Sequence, residues 1–275
     1  MPTLPPERGP RSEHASHENR QVAESFGSDA ERYDRARPSY PQALVDRIIA
    51  ATPGRDVLDV GCGTGIVARQ FEAAGCRVLG LDVDARMADL ARRRGLDVEV
   101  AAFEAWDPAG REFDAVVSGQ TWHWVDPVAG AAKAAQALRP RGLLALFWNA
   151  GQPLPDVAEA FAEVYRRVMP DSLAARQWAV PAVEAYTALC TKAADGIREV
   201  EGFTEAEQWR FDWERPYTRD EWLDQLPTQG AFTRLPQAKL EDLLAGVGAA
   251  IDAAGGSFTM HYATVAVTTM RTDTH

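Results

Sequence analysis

The sequence predicts an α/β fold, a mostly parallel sheet with helices on both faces, and three observations carry that prediction. Short apolar runs at Val57–Val60, Val78–Leu81, Phe113–Ser118 and Leu143–Trp148 alternate with amphipathic stretches of helical period. Strands buried on both faces between crossover helices read this way. Second, Gly61, Gly63 and Gly65 follow the first run directly, and an amphipathic pattern with Ile66, Val67, Ala68 and Phe71 follows them. That is a strand, a tight turn and a helix, with glycine freeing the backbone and letting a small ligand lie against it. Third, 275 residues with 46% hydrophobic content suit one large domain with an added lobe rather than two independent domains.

The elements follow in order. Residues 1–19 are rich in Pro, Glu, Arg, Ser and His and read as a disordered tail, with His14 and His17 solvated rather than clipping a metal. Residues 20–50 form a helical lid interrupted at Pro38 and Pro41, with a buried stripe at Leu44, Val45, Ile48 and Ile49. Residues 51–150 carry the strand–helix rhythm. The first helix stops at Gly75, the second strand ends at Asp82, and Asp84 caps a helix running from Ala85 to Arg94. Val98–Ala101 is a short third strand, and the turn Arg139-Pro140-Arg141-Gly142 precedes the fifth. Residues 151–200 read as a helical cap insertion, with helices at Pro155–Val168 and Leu173–Ala194. Residues 201–275 complete the sheet and cap with a strand at Glu207–Glu214, a capping box at Thr218-Arg219-Asp220-Glu221, a helix at Leu235–Ala253 and a strand at Phe258–Val267.

Composition narrows the functions. No apolar run approaches the ~20 residues a bilayer-spanning helix needs. The net charge of −11 argues against a nucleic-acid substrate, which calls for a basic stripe. Cys62, Cys76 and Cys190 have neither metal spacing nor a disulfide framework, which, with no signal-like apolar region near the start, leads us to expect a reduced, cytoplasmic setting.

The residue types around the turn select the ligand. A dinucleotide fingerprint G-x-G-x-x-G places glycine where this chain has Ile66, and Asp59 would repel a pyrophosphate. A carboxylate there suits a ligand with a cationic part, such as the ammonium and sulfonium of S-adenosylmethionine, and Asp82 at the end of the next strand can accept both ribose hydroxyls.

The stretch Val57-Leu58-Asp59-Val60-Gly61-Cys62-Gly63-Thr64-Gly65, with that second acid, resembles the class I S-adenosylmethionine-dependent methyltransferases. The segment Phe26…Ala30…Tyr33…Arg37-Pro38…Tyr40-Pro41 resembles the amino-terminal lid of their small-molecule, trans-aconitate-type members. The resemblance implies a Rossmann-like seven-stranded sheet of order 3-2-1-4-5-7-6 with the last strand antiparallel. It further implies a methyl transfer to an O, N or C acceptor of a small molecule, leaving S-adenosylhomocysteine. The alternative is a protein that binds the same cofactor in a non-methylating role, as scaffold or cyclase-type catalyst. A nicotinamide oxidoreductase is disfavoured by Asp59 and Ile66.

Ligands on such sheets sit beyond the strands' carboxyl ends, so Gly61, Asp82, Ala102, Gly119 and Asn149 should line one crevice. The resemblance assigns cofactor contacts to Tyr33, Asp59, Gly61, Cys62, Gly63, Gly65, Asp82, Val83, Ala102, Phe103, Glu104, Gly119 and Gln120. Ala102 departs from the family, many members of which place an aspartate on the adenine amino group there. Phe103 is equally readable as a core aromatic. Acceptor candidates are Tyr33, Arg37, Trp122, His123 and Asn149, with Tyr33 and Tyr40 also readable as simple helix packing. His123 is the one residue in its loop able to take a proton near neutral pH, hence the candidate base. Trp122 and Trp124 read as pocket wall or core, and Met87 as packing. No Asn/Asp-Pro-Pro-Tyr signature and no Pro-Cys pair occurs. No metal is expected, and the oligomeric state stays open between monomer and homodimer.

Overall fold

Apolar residues at every position of a strand require cover on both faces, and the chain arranges its strands accordingly. The computed structural model describes residues 25–170, 182–230, 232–233 and 235–273. Seven strands form one sheet: β1 (Asp56–Val60), β2 (Arg77–Asp82), β3 (Asp97–Val100), β4 (Phe113–Gly119), β5 (Leu138–Pro153), β6 (Glu207–Thr218) and β7 (Ser257–Met270). Their order is β3-β2-β1-β4-β5-β7-β6. The first five are parallel, and β7 runs antiparallel to both β5 and β6. This is the seven-stranded order expected from the sequence.

Side-chain alternation divides the sheet's two faces. Val57 with Leu143, Ala145 and Phe147 packs under α2 (Gln42–Ala51) and α3 (Ile66–Ala73), where Leu44, Ile48 and Phe71 are buried. Leu58, Val60, Leu144, Leu146 and Trp148 face α5 (Pro127–Ala137) and the carboxyl half of α7 (Ala182–Arg198). Of the remaining helices, α1 (Ala30–Ala36) follows a 3-10 turn at Phe26–Asp29, and α4 (Ala85–Arg93) follows β2 and adds Ala88 and Ala91 to the first of these two layers. A third apolar cluster joins α6 (Pro155–Val168), α8 (Arg219–Gln225) and α9 (Gln237–Ala253) to the start of β7 and the end of β6. It covers the sheet's ligand side as a cap.

Several boundaries differ from expectation. The tail at residues 1–19 and the start of the Leu173–Ala194 helix lie outside the described residues. The described helix α7 runs on to Arg198, and Cys190, Ala193 and Ile197 belong to the sheet's own apolar layer rather than to a cap. The Arg139–Gly142 turn is absorbed into β5 as an irregularity, with Arg141 at φ 63° and a register shift opposite Phe113 and Ala115. β6 continues past Glu214 because it pairs with β7 along its whole length, until Thr218 caps α8 with the expected capping box. Pro236 delays the start of α9 to Gln237.

Candidate functional site

The glycine turn closes β1 against β2. The amides of Gly61 and Cys62 both donate to Leu81 O, at 2.7 and 3.0 Å. Gly61, Gly63 and Gly65 sit at φ 70°, 56° and 87°, a region side chains avoid. A Cβ on Gly61 would lie 2.0 Å from Thr121 Cγ2, whereas one on Gly63 would meet only Met87 Cε at 3.5 Å. Gly63 therefore fronts open space, and the backbone there is the floor of a cavity of about 610 Å³.

Two carboxylates flank that floor. The Gly63 amide donates to Asp82 Oδ2 and the Asp84 amide to Asp82 Oδ1, each at 2.8 Å, which fixes the Asp82 side chain facing the cavity. Burial pushes the Asp82 carboxyl up to about 6, although these amides oppose it. Asp59, one strand in and behind the cavity lining, is 1% exposed, and the Ala68 amide is the nearest donor, too poorly placed for a full hydrogen bond to either oxygen. Burial, then the Asp82 charge, push it up to about 7, the Ala68 amide pulling the other way. A buried carboxylate so poorly met by donors is costly.

The far wall of this end is Val83, Met87, Ala102, Phe103, Glu104 and Val125. Glu104 Oε1 accepts from the Asp126 amide at 3.0 Å, tying the loop after β3 to the start of α5. The lid crosses above. Phe26 stacks edge-on against both Tyr33 (6.0 Å) and Trp124 (6.5 Å). The Gly27 amide donates to Asp84 Oδ2 at 3.0 Å, and Asp224 on α8 pairs with Arg32 and Arg35 on α1. Lid, core and cap thus meet over the cavity.

Tyr33, Arg37, Gly61, Gly63, Asp82, Val83, Ala102, Phe103, Glu104, Gln120, His123 and Asn149 all line this one cavity. Other expected residues stand behind its wall. The Cys62 side chain is buried under the turn against Gly80, where a Cβ would be 2.7 Å from the sulfur, and burial holds its thiol well above the usual range. The Cys62 thiol is thus core, not a ligand contact. Gly65 ends the turn ahead of α3, and a Cβ there would strike Leu96. Gly119 gives room to Phe147, the Tyr40 hydroxyl and Val67. Trp122 is 2% exposed and packs in the core layer beside Phe103; the cavity tryptophan in that loop is Trp124.

His123 lies in the wall with altered chemistry. The Trp148 indole N–H donates to its Nδ1 at 3.4 Å. Burial, then the Lys192 charge, push its pKa down to about 4. The imidazole is neutral at physiological pH, and with Nδ1 accepting, its proton sits on Nε2. That arrangement opposes the base role, because the lone pair a base would use, on Nδ1, already accepts from Trp148. Asn149 is likewise committed, its Nδ2 donating to Ser39 O and its Oδ1 accepting from Thr264. It ties the lid to the sheet.

The sequence did not single out Thr121, Tyr186, Trp222, Gln225, Gln229, Met260 or Tyr262, which also line the cavity. Tyr262 and Met260 follow the period-2 alternation of β7, a signal that could have marked them. For Tyr186, Trp222 and Gln225, on separate helices, no local signal exists.

A family model described as a methyltransferase domain matches residues 57–142, the stretch from β1 to the start of β5. An uncharacterized methyltransferase of Mycobacterium tuberculosis is 38% identical over 133 residues, which cover 47% of this chain and 54% of that protein. The chain thus spans about half the length of that relative. A malonyl-(acyl-carrier protein) O-methyltransferase of Pseudescherichia vulneris is 30% identical over 173 residues, covering 61% of this chain and 68% of its own. Among solved structures, a methyltransferase candidate from Anaeromyxobacter dehalogenans superposes with a TM-score of 0.62 at 24% identity, covering 84% of this chain and 97% of that one. The fold and the turn define the class, and these relatives place the chain in it: it belongs to the class I S-adenosylmethionine-dependent methyltransferases.

Proposed function

We propose that this chain binds S-adenosylmethionine at the glycine turn and transfers its methyl group to a small-molecule acceptor held between lid and cap. The observation that carries the reading is the pair of acids at the turn: Asp59, buried and poorly met by donors, and Asp82 fixed beside Gly63. The residues fit this cofactor. Asp59 supplies the anionic corner an ammonium needs, Asp82 has lone pairs left for vicinal hydroxyls, and Gly63 leaves space for the ligand to lie against the backbone. Val83, Met87, Ala102 and Phe103 give an adenine ring apolar walls. Glu104, whose Oε1 is occupied by Asp126, keeps Oε2 for an amino group.

When bound, the cofactor supplies an activated methyl on a sulfonium, so the protein's share is alignment and exclusion of water. The lid does the excluding through Phe26 and Tyr33, with Phe26 packed on Trp124 of the loop after β4. His123 acts as a hydrogen-bond donor that orients the acceptor rather than as a base. Gln120 steadies the same wall, its Nε2 donating to Asn149 O at 3.2 Å. A cavity whose only Lys or Arg among the described residues is Arg37, in a chain of net charge −11, supports a small molecule over a nucleic acid. Three buried free cysteines support a reducing, cytoplasmic setting.

The test is methyl-label transfer from S-adenosylmethionine to a panel of small metabolites, with S-adenosylhomocysteine followed as coproduct. The reading expects label in one acceptor class and stoichiometric coproduct. Saturable cofactor binding without transfer to any of the panel would favour the non-methylating alternative.

A further inference from the structure

We infer that the outer edge of β6 is a homodimer interface, on which a second copy of this chain pairs antiparallel and continues the sheet, with the two-fold axis at Phe211. It is independent of the reaction the cavity carries out.

β6 is the last strand of the sheet, and among the described residues its outer edge pairs with nothing. It is twelve residues long and paired with β7 from Glu207 to Thr218, so it is held extended throughout. Such a strand presents a row of unmet N–H and C=O groups that another strand can satisfy. Its two faces differ. Trp209 is buried with the Arg47 guanidinium over its ring, 4.1 Å from carbon to ring centre, and Phe211 and Trp213 on the same face are half-buried. Arg210, Asp212 and Glu214 stand on the other face with side chains 57%, 67% and 62% exposed.

The order of residues along the strand selects both the partner and the register. In an isologous antiparallel pair the axis passes between one residue and its own copy, and the choice of that residue fixes every opposing pair. With Phe211 on the axis, Arg210 faces the partner's Asp212, Glu207 faces the partner's Arg215, Trp209 faces the partner's Trp213, and Gln208 faces the partner's Glu214. No like charges meet, and symmetry makes each opposite-charge pair twice. Arg210 and Asp212 already meet within the strand at 2.8 Å, so the axis gathers two of each into one alternating cluster. Directly opposed side chains lie about 5 Å apart at Cβ, close enough for these charge and aromatic pairs to count.

Neighbouring axes lose this match. At Arg210 two arginines would face each other, at Asp212 two aspartates, and at Trp213 Asp212 would face Glu214; like charges in direct opposition are destabilising. At Trp209 no opposite charges would meet at all. Pro216, which has no N–H to give, falls opposite Ala206, just past the end of the Phe211-centred pairing. Charge alone would keep an edge unpaired, but here both signs occur in an order that is its own complement.

The test is sedimentation velocity on the full chain from about 1 to 200 µM, with wild type, Arg210→Glu, and the double exchange Arg210→Asp with Asp212→Arg. These positions are exposed, so the Tm of each variant at the lowest concentration should stay within about 3 °C of wild type. Wild type should show a monomer–dimer equilibrium with a Kd at or below about 100 µM. Arg210→Glu sets a glutamate against Asp212 twice and should weaken dimerisation roughly 5- to 100-fold. The double exchange restores opposite charges in the same register and should return the Kd to within about threefold of wild type. Register is read separately by oxidation of Phe211→Cys, whose copies face each other within disulfide reach, and of Asp212→Cys, whose copies do not; the native cysteines are buried. A covalent dimer should form from the first and not from the second. The inference is overturned if wild type stays monomeric throughout that range, if Arg210→Glu leaves the dimer intact, if the double exchange fails to recover it, or if Asp212→Cys cross-links and Phe211→Cys does not.

Discussion

Replacing Asp59 with asparagine should make the ligand-free protein more stable and the cofactor site worse, and the two effects should separate with pH. Asp59 is fully buried, and its carboxyl is raised from the ordinary 3.8 to about 7. Since the folded pKa lies above the unfolded one, the group costs nothing well below about pH 3, where both states are protonated. The cost grows as pH rises and levels off above about 7, where both are ionised. At pH 8 it is on the order of 4 kcal/mol, and at pH 5 roughly half that. Asp59 and Asp82 titrate as a pair, so these are values for the coupled site. An asparagine buries a carboxamide whose own cost does not depend on pH, so the difference between two pH values isolates the charge. Thermal unfolding of wild type and Asp59→Asn without ligand, at pH 5 and pH 8, should therefore show the variant gaining roughly 5–10 °C more at pH 8. In parallel, S-adenosylhomocysteine should bind Asp59→Asn at least about tenfold more weakly at pH 8, since a desolvated charge–charge contact is lost. An equal stability difference at both pH values would refute the buried, ionising carboxylate. Unchanged ligand affinity would refute its role as the cation's partner.

Other perturbations probe the remaining parts of the site. Because His123 is pushed down to about 4, the pH profile of turnover should lack an inflection between 6 and 7 belonging to it. His123→Gln, which keeps an N–H donor, should stay within about tenfold of wild type; a loss of the 10²–10⁴-fold that a general base contributes would contradict this. Gly61→Ala faces both a φ of 70° and the Thr121 methyl, and should cost roughly 2–5 kcal/mol by denaturant unfolding. Gly75→Ala, at φ 84° with open space around it, should cost only about 1–2, and equal costs would show that the approach to Thr121 is irrelevant. Asp224→Ala releases Arg32 and Arg35 from α8. Global stability should change by less than about 1 kcal/mol per pair, while protease cleavage in residues 25–41 should accelerate and S-adenosylhomocysteine should dissociate faster; an unchanged dissociation rate would mean the pair does not hold the lid.

The cofactor half of the site was legible because it is local. Gly61 and Gly63 share one turn, Asp82 ends the very next strand, and the parallel pairing of β1 with β2 sets them side by side. The rest of the cavity was not, since Tyr186, Trp222 and Tyr262 come from three elements whose meeting depends on how the cap packs. Side-chain direction was the other blind spot. Cys62 lies inside the motif, yet its thiol turns down onto Gly80 in β2, because the turn at positive φ reverses which way each residue faces. His123 looked like a base because its ordinary pKa is near neutral. Its lowered value and blocked Nδ1 come from burial and from Trp148, on a different strand. Asn149, at a strand's carboxyl end, looked free, but Thr264 on β7 and Ser39 in the lid loop both claim its amide.

The most direct measurement of the central claim is a calorimetric titration of S-adenosylhomocysteine, with NAD as control, into wild type and Asp82→Ala. We expect saturable one-to-one binding to wild type, none of NAD, and a loss of roughly 10- to 100-fold in Asp82→Ala, whose carboxylate would no longer meet the ribose hydroxyls. Absence of saturable binding to wild type, or an affinity that Asp82→Ala leaves untouched, would contradict the account.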